Sequence, residues 1–417
     1  MSQSVLTGLA VSIAYYSGDR KTGSLKVLTS DGDKLTINEV QTISGTDLDK
    51  SLKPILIGMT KDVRVVLLDP KSKQISLSED FPEDTFAAHI YSDPNSTRDW
   101  FMNDGDKETG NDTLNCGDKG SSVTIVENSN TPNARYLATI CVGRGHHQAT
   151  FTYPSDAHPD VPQLVIVSNL KDGTLSIIGN DANRSDSDLK VISTINLCEP
   201  DKDEGKAAGA VPNNAFPHGL VYSKATGKIY NLNNGYGTVV IIDPKTKQIE
   251  ERFEFKGHSN LFISPDGKYL FGRGADRKSD ENHVIAKLTV MDLSSREIVA
   301  KLDLQDIYIS KYFFNNDGSK LYLTTGSSGS DQQKANLKSN VVLVYDLSQL
   351  PQINLLAEVD VGEVGTLDFV GMGDSSLVLC SDSGSGSMKI ISGNKHQIIE
   401  TIKVSQDIGH SRVWVLP

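Results

Sequence analysis

Five of the nine histidines stand directly ahead of short apolar runs, at positions that a repeated unit would make equivalent. They are His89, His147, His218, His258 and His410. Neutral imidazole is a ligand for copper, zinc and iron, and several imidazoles that converge form an all-nitrogen metal site. If the repeated units close on themselves, these side chains meet around a common centre. The pattern predicts a transition-metal site, with copper the favoured ion.

The same histidines have a second interpretation. Gly-His before a strand, as at Gly257-His258 and Gly409-His410, is also a structural device in which the ring nitrogen bonds across the sheet and stiffens the turn. None of the spacings has the specificity of an HExxH or paired CxxC motif. A structural role for the imidazoles therefore stands beside the metal hypothesis.

Basic side chains are candidates for holding an anionic substrate. Lys311 and Glu363 occupy the equivalent place in the two units that lack histidine. Arg273 and Arg277, together with Lys311 and Arg144, predict a basic spot that would bind a carboxylate or another anion. We expect Lys311, Arg273 and Arg277 to act on a small anionic substrate, and the alternative is that they are ordinary surface cations.

Other chemistries have weaker support. Alternating acidic residues could hold calcium at Asp104, Asp106, Glu108 and Asp112, but the glycine is misplaced for an EF-hand loop, and a solvated acidic loop is the preferred interpretation. No Gly-x-Ser-x-Gly elbow occurs in a strand–helix context. No glycine-rich loop opens a helix to bind phosphate, because helix patterns are nearly absent.

Composition limits the partners and the setting. The net charge of −12 over 417 residues argues against nucleic acid, whose phosphates need a basic surface. No run approaches the ~18 apolar residues of a membrane span, so no membrane contact is expected. Four scattered cysteines without a CxxC spacing and no visible signal peptide indicate a reducing, cytoplasmic setting. A Cys116–Cys141 bridge and a mature periplasmic form are left open.

The chain as a whole has the pattern of an all-β fold. Runs of β-branched and aromatic residues alternate with Gly, Asp and Asn turns at about ten-residue spacing. Four strands per unit and a period of forty residues or more predict one seven-bladed β-propeller domain over residues 1–417, with eight blades as the alternative. We expect the first strands of the blades at about 86–92, 147–153, 218–223, 258–264, 310–315, 363–369 and 410–416.

The last of these strands needs partners from the N-terminal part of the chain. We expect those partners at 53–59, 63–69 and 74–79, so that N- and C-terminal strands pair and leave no open sheet edge. Residues 1–45 either extend this closing blade or form an eighth. Trp100, Phe101 and Trp414 are expected in the core.

Three segments carry a family resemblance. Ser-Pro-Asp-Gly-Lys-Tyr-Leu-Phe at 264–271, Val-Ile-Val-Ser-Asn-Leu-Lys-Asp-Gly-Thr-Leu-Ser-Ile-Ile at 165–178 and Val-Val-Ile-Ile-Asp-Pro-Lys-Thr at 239–246 resemble YVTN-type propeller repeats. The resemblance covers residues 145–350 best. Related propellers include surface-layer proteins, lactonases and the propeller domain of nitrous oxide reductase, whose copper cluster is held by histidines. The resemblance implies the fold and does not choose between these activities.

The histidines share one propeller face with the long polar loops at 103–120, 272–283 and 326–340. Long loops on a rigid scaffold are the usual place of binding and catalysis. The first hypothesis is a metal-dependent propeller that carries out redox chemistry on a small molecule. The alternatives are a non-catalytic propeller that binds a protein through this face, and a lactonase-like hydrolase that uses a histidine as base or acid.

Overall fold

The structure is a computed structural model, and it describes residues 3–18, 24–32, 34–40, 46–52, 57–60, 65–69, 74–77, 87–104, 121–128, 135–145 and 147–416. At position 40, within 46–77 and at 87–88, the backbone alone is described. The chain divides into two compact units. Unit 1 comprises Met1–Glu79, Asp276–Ala286 and Asp303–Pro417, and unit 2 comprises Asp80–Ala275 and Lys287–Leu302.

Four consecutive four-stranded antiparallel sheets lie wholly or for the most part in unit 2. Their strands are β8 (Ala87–Ser92), β9 (Arg98–Asn103), β10 (Ser122–Glu127) and β11 (Arg135–Cys141); β12 (Ala149–Thr152), β13 (Leu164–Asn169), β14 (Thr174–Gly179) and β15 (Val191–Asn196); β16 (Pro217–Ser223), β17 (Lys228–Asn233), β18 (Thr238–Asp243) and β19 (Gln248–Glu254); and β20 (Asn260–Ile263), β21 (Tyr269–Asp276), β22 (Ile285–Asp292) and β23 (Glu297–Gln305). Strands that follow one another along the chain are neighbours in each sheet.

Unit 1 contains the remaining sheets, which follow the same plan. Their strands are β1 (Ser12–Gly18), β2 (Ser24–Asp31) and β3 (Lys34–Val40) with β32 (His410–Leu416); β4 (Thr46–Leu52), β5 (Ile57–Thr60), β6 (Val65–Asp69) and β7 (Gln74–Leu77); β24 (Ile309–Phe314), β25 (Lys320–Thr325), β26 (Val341–Asp346) and β27 (Asn354–Asp360); and β28 (Val364–Val370), β29 (Leu377–Asp382), β30 (Ser387–Ser392) and β31 (Ile398–Lys403). Such a succession of four-stranded antiparallel blades is the β-propeller fold.

Seven of the sheets are described with side chains, and all seven predicted first strands are confirmed. The β4–β7 sheet is described through its backbone pairing alone. Regular strands form because β-branched and aromatic residues alternate with turns such as Ser-Pro-Asp-Gly at 264–267. The prediction of a single domain over 1–417 stays a prediction.

The predicted pairing of N- and C-terminal strands is confirmed, but the predicted partners are wrong. β32 pairs along its whole length with β1, from Ser12 opposite Leu416 to Gly18 opposite His410. β1 pairs in turn with β2, and β2 with β3. Residues 12–40 therefore complete the sheet of β32, and the segments expected in that place belong to the separate β4–β7 sheet. Both faces of β1 are buried, so its sequence lacks the alternation of apolar and polar residues that would mark it as a closing strand.

The core of each unit lies between the faces of consecutive sheets. In unit 2 Trp100 is fully buried and packs edge-on against Phe151 at 6.2 Å, in a cluster shared by the β8–β11 and β12–β15 sheets. In unit 1 Tyr15, Val413 and Leu379 belong to a cluster that joins the closing sheet to the β28–β31 sheet. The prediction that Trp100, Phe101 and Trp414 are core residues is confirmed.

Among the described residues, helix is limited to α1 (Asp331–Lys334) and two short 3-10 turns, Pro200–Lys202 and Gly373–Ser375. None of these is long and apolar enough to cross a membrane. Cys198 and Cys380 are free and buried, Cys141 is in a disulfide, and Cys116 lies outside the described residues. The predicted reducing, cytoplasmic setting stays a prediction.

Candidate active site

A polar cavity of about 660 Å³ opens in unit 1 where β24, β28 and β32 begin and β25 and β29 end. We call it the cationic pocket, and its lining is Ser310, Lys311, Thr325, Gly326, Ser327, Ser339, Asn340, Gly362, Glu363, Val364, Gly365, Ser383, His410, Ser411 and Arg412. Strand beginnings and the ends of the next strands meet at one edge of antiparallel sheets, which is why residues far apart in sequence line one cavity. The pocket brings together Lys311, Glu363 and His410, three residues that were predicted to occupy equivalent places in their units.

Lys311 is held in place by its neighbours. Its ammonium group donates to the Gly365 carbonyl over 2.6 Å, and its backbone N–H donates to the Thr324 hydroxyl over 3.1 Å. The first contact links the first strands of two consecutive sheets, β24 and β28. The charge is therefore fixed at the pocket wall, and a fixed charge stabilises a bound anion without reorganising.

Strand β32 supplies three residues of the lining, His410, Ser411 and Arg412. It lies so close to β28 that a Cβ atom at Gly365 would overlap the carbonyl oxygen and the hydroxyl of Ser411. Glycine is required at 365 by this close approach. The approach also brings β32, which carries His410 and Arg412, next to the Gly365 carbonyl that accepts from Lys311.

Arg412 lines the pocket but was not among the predicted site residues. Side chains two residues apart in a strand point to the same face, so the placement of His410 at the site should also have drawn attention to Arg412. With Lys311 it makes the pocket cationic, since Glu363 is the one acidic residue of the lining. His410 and Glu363 are exposed at the pocket mouth, whereas Ser383 and Ser411 are buried to 5 % and 2 % exposure.

The histidines of unit 2 are engaged by the protein. His258 is buried, stacks on Phe255 at 4.2 Å, and has its Nε2 atom 2.8 Å from the Thr289 hydroxyl. Its Nδ1 atom lies 3.3 Å from the Phe255 carbonyl oxygen. Burial lowers the pKa of His258, so the ring is neutral. This is the structural role that the sequence analysis kept as the alternative.

Two further imidazoles donate to backbone carbonyl groups. The Nδ1 atom of His147 bonds to the Ser168 oxygen at 2.8 Å, and that of His218 bonds to the Ser259 oxygen at 2.7 Å. His89 is half-buried, and its ring centre lies 6.1 Å from that of Tyr91. Within the described ranges, no three His, Cys, Asp or Glu side chains are grouped closely enough to hold one metal ion. The geometry thus gives the copper hypothesis no support, and copper stays a prediction from the sequence.

The four cations expected to form a basic spot differ in their surroundings. Arg144 is paired with Asp172, with 2.7 Å between the Arg144 Nε and an Asp172 carboxylate oxygen. Arg277 donates to the Ser328 hydroxyl over 2.9 Å and lies over the Tyr308 ring, outside the pocket lining. Arg273 belongs to unit 2. Of the three residues expected to handle substrate, Lys311 alone lines the cationic pocket.

Two of the long loops pack against each other within unit 1. The side-chain amide of Gln333 donates to the carbonyl groups of Arg277, Asp280 and His283, at 3.1, 2.8 and 3.3 Å. His283 is also paired with Asp306 at 2.7 Å, a hydrogen bond that raises the pKa of the imidazole. These contacts order the loops. The third long loop, with Asp106, Glu108 and Asp112 of the suggested calcium site, lies outside the described residues apart from its first two residues, Asn103 and Asp104.

Comparison with known proteins supports the fold. No family model matches the sequence, and no curated protein matches it. Among solved structures, a dihydro-haem d1 dehydrogenase is similar with a TM-score of 0.61 and 10% identity, over 97% of this chain and 75% of that chain. The periplasmic gluconolactonase of Pseudomonas aeruginosa is similar with a TM-score of 0.53 and 11% identity, over 97% of this chain and 100% of that chain.

A third similar structure is a putative 6-phosphogluconolactonase of Bacteroides fragilis, with a TM-score of 0.51 and 11% identity, over 99% of this chain and 100% of that chain. At such identities the likeness establishes the β-propeller and nothing about activity. Because no family model matches, the resemblance to YVTN-type repeats and to nitrous oxide reductase stays a prediction.

Proposed function

We propose that this protein is a lactonase-like hydrolase that binds a small, polar, anionic lactone in the cationic pocket. The observation that carries the proposal is the lining of that pocket, which joins two cations, an imidazole, a carboxylate and a row of hydroxyl groups. Similar propellers described as gluconolactonase and putative 6-phosphogluconolactonase support the choice of this reaction over other hydrolyses.

The size and polarity of the pocket suit a sugar acid. Small-molecule sites usually span ~300–1,000 Å³, and about 660 Å³ lies within that range. The serine and threonine side chains of the lining can hydrogen-bond the hydroxyl groups of a polyol. Lys311 and Arg412 favour a carboxylate, which is the group that opening of a lactone creates.

The chemistry needs a base and a stabilised oxyanion. In the proposed reaction a water molecule attacks the lactone carbonyl carbon while the His410 imidazole removes one proton from it, as histidine can near neutral pH. Negative charge develops on the carbonyl oxygen beside Lys311 and Arg412. The ring C–O bond then breaks, and the departing oxygen takes the proton back from the imidazolium. The products are an alcohol and a carboxylic acid, which ionises.

The test is hydrolysis of five- and six-membered sugar lactones, measured as acid release above the spontaneous rate. His410→Gln is expected to lower kcat by roughly 10²–10⁴-fold, the usual contribution of general base catalysis. His396→Gln is the matched control, since His396 lies in the β30–β31 turn of the same unit and does not line the pocket. A wild-type protein that accelerates none of these lactones would refute the proposal.

A separate experiment tests whether Lys311 favours a ligand that carries an acid group. Lys311→Met is expected to lower kcat/KM for a lactone that carries an acid group much more than for a neutral lactone of the same ring size. Lys338→Met is the control, because this lysine pairs with Glu358 over 2.9 Å outside the pocket. Equal losses on the two lactones would show that the pocket does not select for negative charge.

A further inference from the structure

A short turn in unit 1 links the backbone segments that carry Glu363 and His410. It comprises residues 383–386 and joins β29 to β30. The Ser383 amide donates to the Glu363 carbonyl over 2.7 Å, and the Ser383 carbonyl accepts from the Gly409 amide over 2.9 Å. Gly409 directly precedes His410. We call residues 383–386 the bridging turn, because one residue of its backbone is bonded to both sides of the cationic pocket.

The side chain of Asp382, the last residue of β29, holds the bridging turn in its conformation. Its carboxylate accepts from the Gly384 amide over 3.1 Å and from the Ser385 hydroxyl over 2.7 Å. An aspartate that accepts from the backbone two residues ahead stabilises a turn. Asp382 is 5 % exposed, and the Lys389 ammonium 3.3 Å away balances a charge that burial would otherwise make costly. The carboxylate thus fixes the two residues that follow Ser383.

The same carboxylate lies against the chain that leads into β28. A Cβ atom at Gly362 would be 2.7 Å from an Asp382 carboxylate oxygen, so glycine is required for this approach. Gly362 directly precedes Glu363. At the other end of the bridging turn, the Gly386 carbonyl accepts from the Ser405 amide over 2.9 Å, in the segment that leads to β32. Asp382 therefore supports a set of contacts that reaches both strands.

We propose that Asp382 is a positioning residue for the proposed hydrolysis, which holds Glu363 and His410 in place through the bridging turn and does not itself line the cationic pocket. The inference rests on the proposed function, in which His410 is the base. A general base must lie within hydrogen-bond reach of its water, and a displacement of ~1 Å can lower the rate roughly 10²-fold. His410 is exposed, so its placement depends on the backbone ahead of it, which the bridging turn holds.

The first test needs no ligand and measures amide hydrogen exchange by NMR. In Asp382→Ala, the amides of Ser383 and Gly409 are expected to exchange roughly tenfold faster, as for loss of a hydrogen bond to a charged group that opposes local opening. Unchanged exchange at both amides overturns the proposal. If the alanine variant does not fold, Asp382→Asn replaces it. Asparagine keeps an acceptor for the Gly384 amide but loses the ion pair with Lys389, so faster exchange is expected there too.

Two controls separate this local effect from general loosening of the fold. The Val413 amide, also on β32, donates to the Thr366 hydroxyl over 2.9 Å and should keep its exchange rate in the Asp382 variants. Asp346→Ala is the matched variant, because Asp346 accepts from the Ser348 amide over 2.9 Å in another turn of unit 1, outside the pocket lining. It should leave exchange at the bridging turn and lactone hydrolysis unchanged.

The second test asks whether Asp382 acts through His410, with lactone hydrolysis as the measurement. Asp382→Ala is expected to lower kcat roughly 10–10²-fold in the wild type but by no more than about twofold in His410→Gln, because positioning has no effect once the base is removed. Equal losses in the two backgrounds overturn the proposal, since they would show general damage to the site. If the wild type hydrolyses no lactone, the proposed function fails, and faster exchange of the Ser383 and Gly409 amides still establishes that Asp382 holds the bridging turn.

Discussion

Replacing Asp99 by asparagine should stabilise the protein at neutral pH and have little effect in acid. Asp99 lies on β9 and is 7 % exposed. Burial raises the pKa of its carboxyl group from 3.8 to about 6; the Ser92 hydroxyl bond opposes this shift, and the Asp93 charge adds to it. Asparagine keeps an oxygen that can accept the hydrogen bond from Ser92, which is 2.5 Å long.

The magnitude follows from the difference between the folded and unfolded proteins. A shift from 3.8 to about 6 is roughly two pKa units, and each unit corresponds to about 1.4 kcal/mol, so the ionised carboxylate costs about 3 kcal/mol. Because the pKa of Asp99 is raised in the folded protein, the stabilisation associated with its protonated form is complete below pH 3.8. This stabilisation is lost as the pH rises to about 6. Above that pH the carboxylate is charged in both states and the full cost applies.

The assay is urea unfolding of wild type, Asp99→Asn and the exposed control Asp156→Asn at intervals from pH 4 to pH 8. The advantage of Asp99→Asn over wild type should grow to about 3 kcal/mol by pH 7 and then stay level. Asp156→Asn should follow wild type at every pH, since its side chain is exposed. An advantage that does not change with pH, or a variant less stable than wild type at pH 7, would refute the reasoning.

Two further variants test the packing described above by thermal unfolding. His258→Leu removes the hydrogen bond to Thr289 and should lower the free energy of unfolding by about 1–3 kcal/mol. Added copper should not stabilise either protein. If copper stabilised the wild type but not this variant, the metal hypothesis would be restored. Gly365→Ala forces a Cβ atom against Ser411 and should lower the free energy of unfolding by about 1–3 kcal/mol. The control is Gly384→Ala, which should be nearly neutral because a Cβ atom there makes only ordinary contacts. Equal melting temperatures for the two variants would contradict the close approach of β28 and β32.

The strands of the blades could be predicted from the sequence because strand formation depends on neighbouring residues. Each predicted first strand, such as that at 218–223, combines β-branched or aromatic residues with adjoining turns, and these favour a strand wherever it lies in the fold. The partner of β32 was not readable, because pairing joins residues at opposite ends of the sequence. β1 and the segments within 53–79 both have strand-like sequences, so their local patterns do not choose between them.

Part of the site could also be predicted from the sequence. A repeat makes positions equivalent, so Lys311, Glu363 and His410 could be identified from their places ahead of first strands. What the sequence could not show is which imidazoles the protein itself engages. Thr289, the partner of His258, lies on a different strand of its blade, and nothing in a single sequence links the two. The suggestion of a protein partner on the loop-rich face stays a prediction.

Strand β32 has two roles, and their combination has a consequence while the chain is being synthesised. β32 both pairs with β1 and delivers His410, Ser411 and Arg412 to the cationic pocket. The ribosome makes β1 early and β32 almost four hundred residues later. A nascent or clipped chain that lacks β32 therefore has an uncovered strand edge, which chaperones and proteases can recognise, and at the same time lacks half of its charged site. Pairing of β32 with β1 therefore completes the closing sheet and the lining of the cationic pocket in the same step.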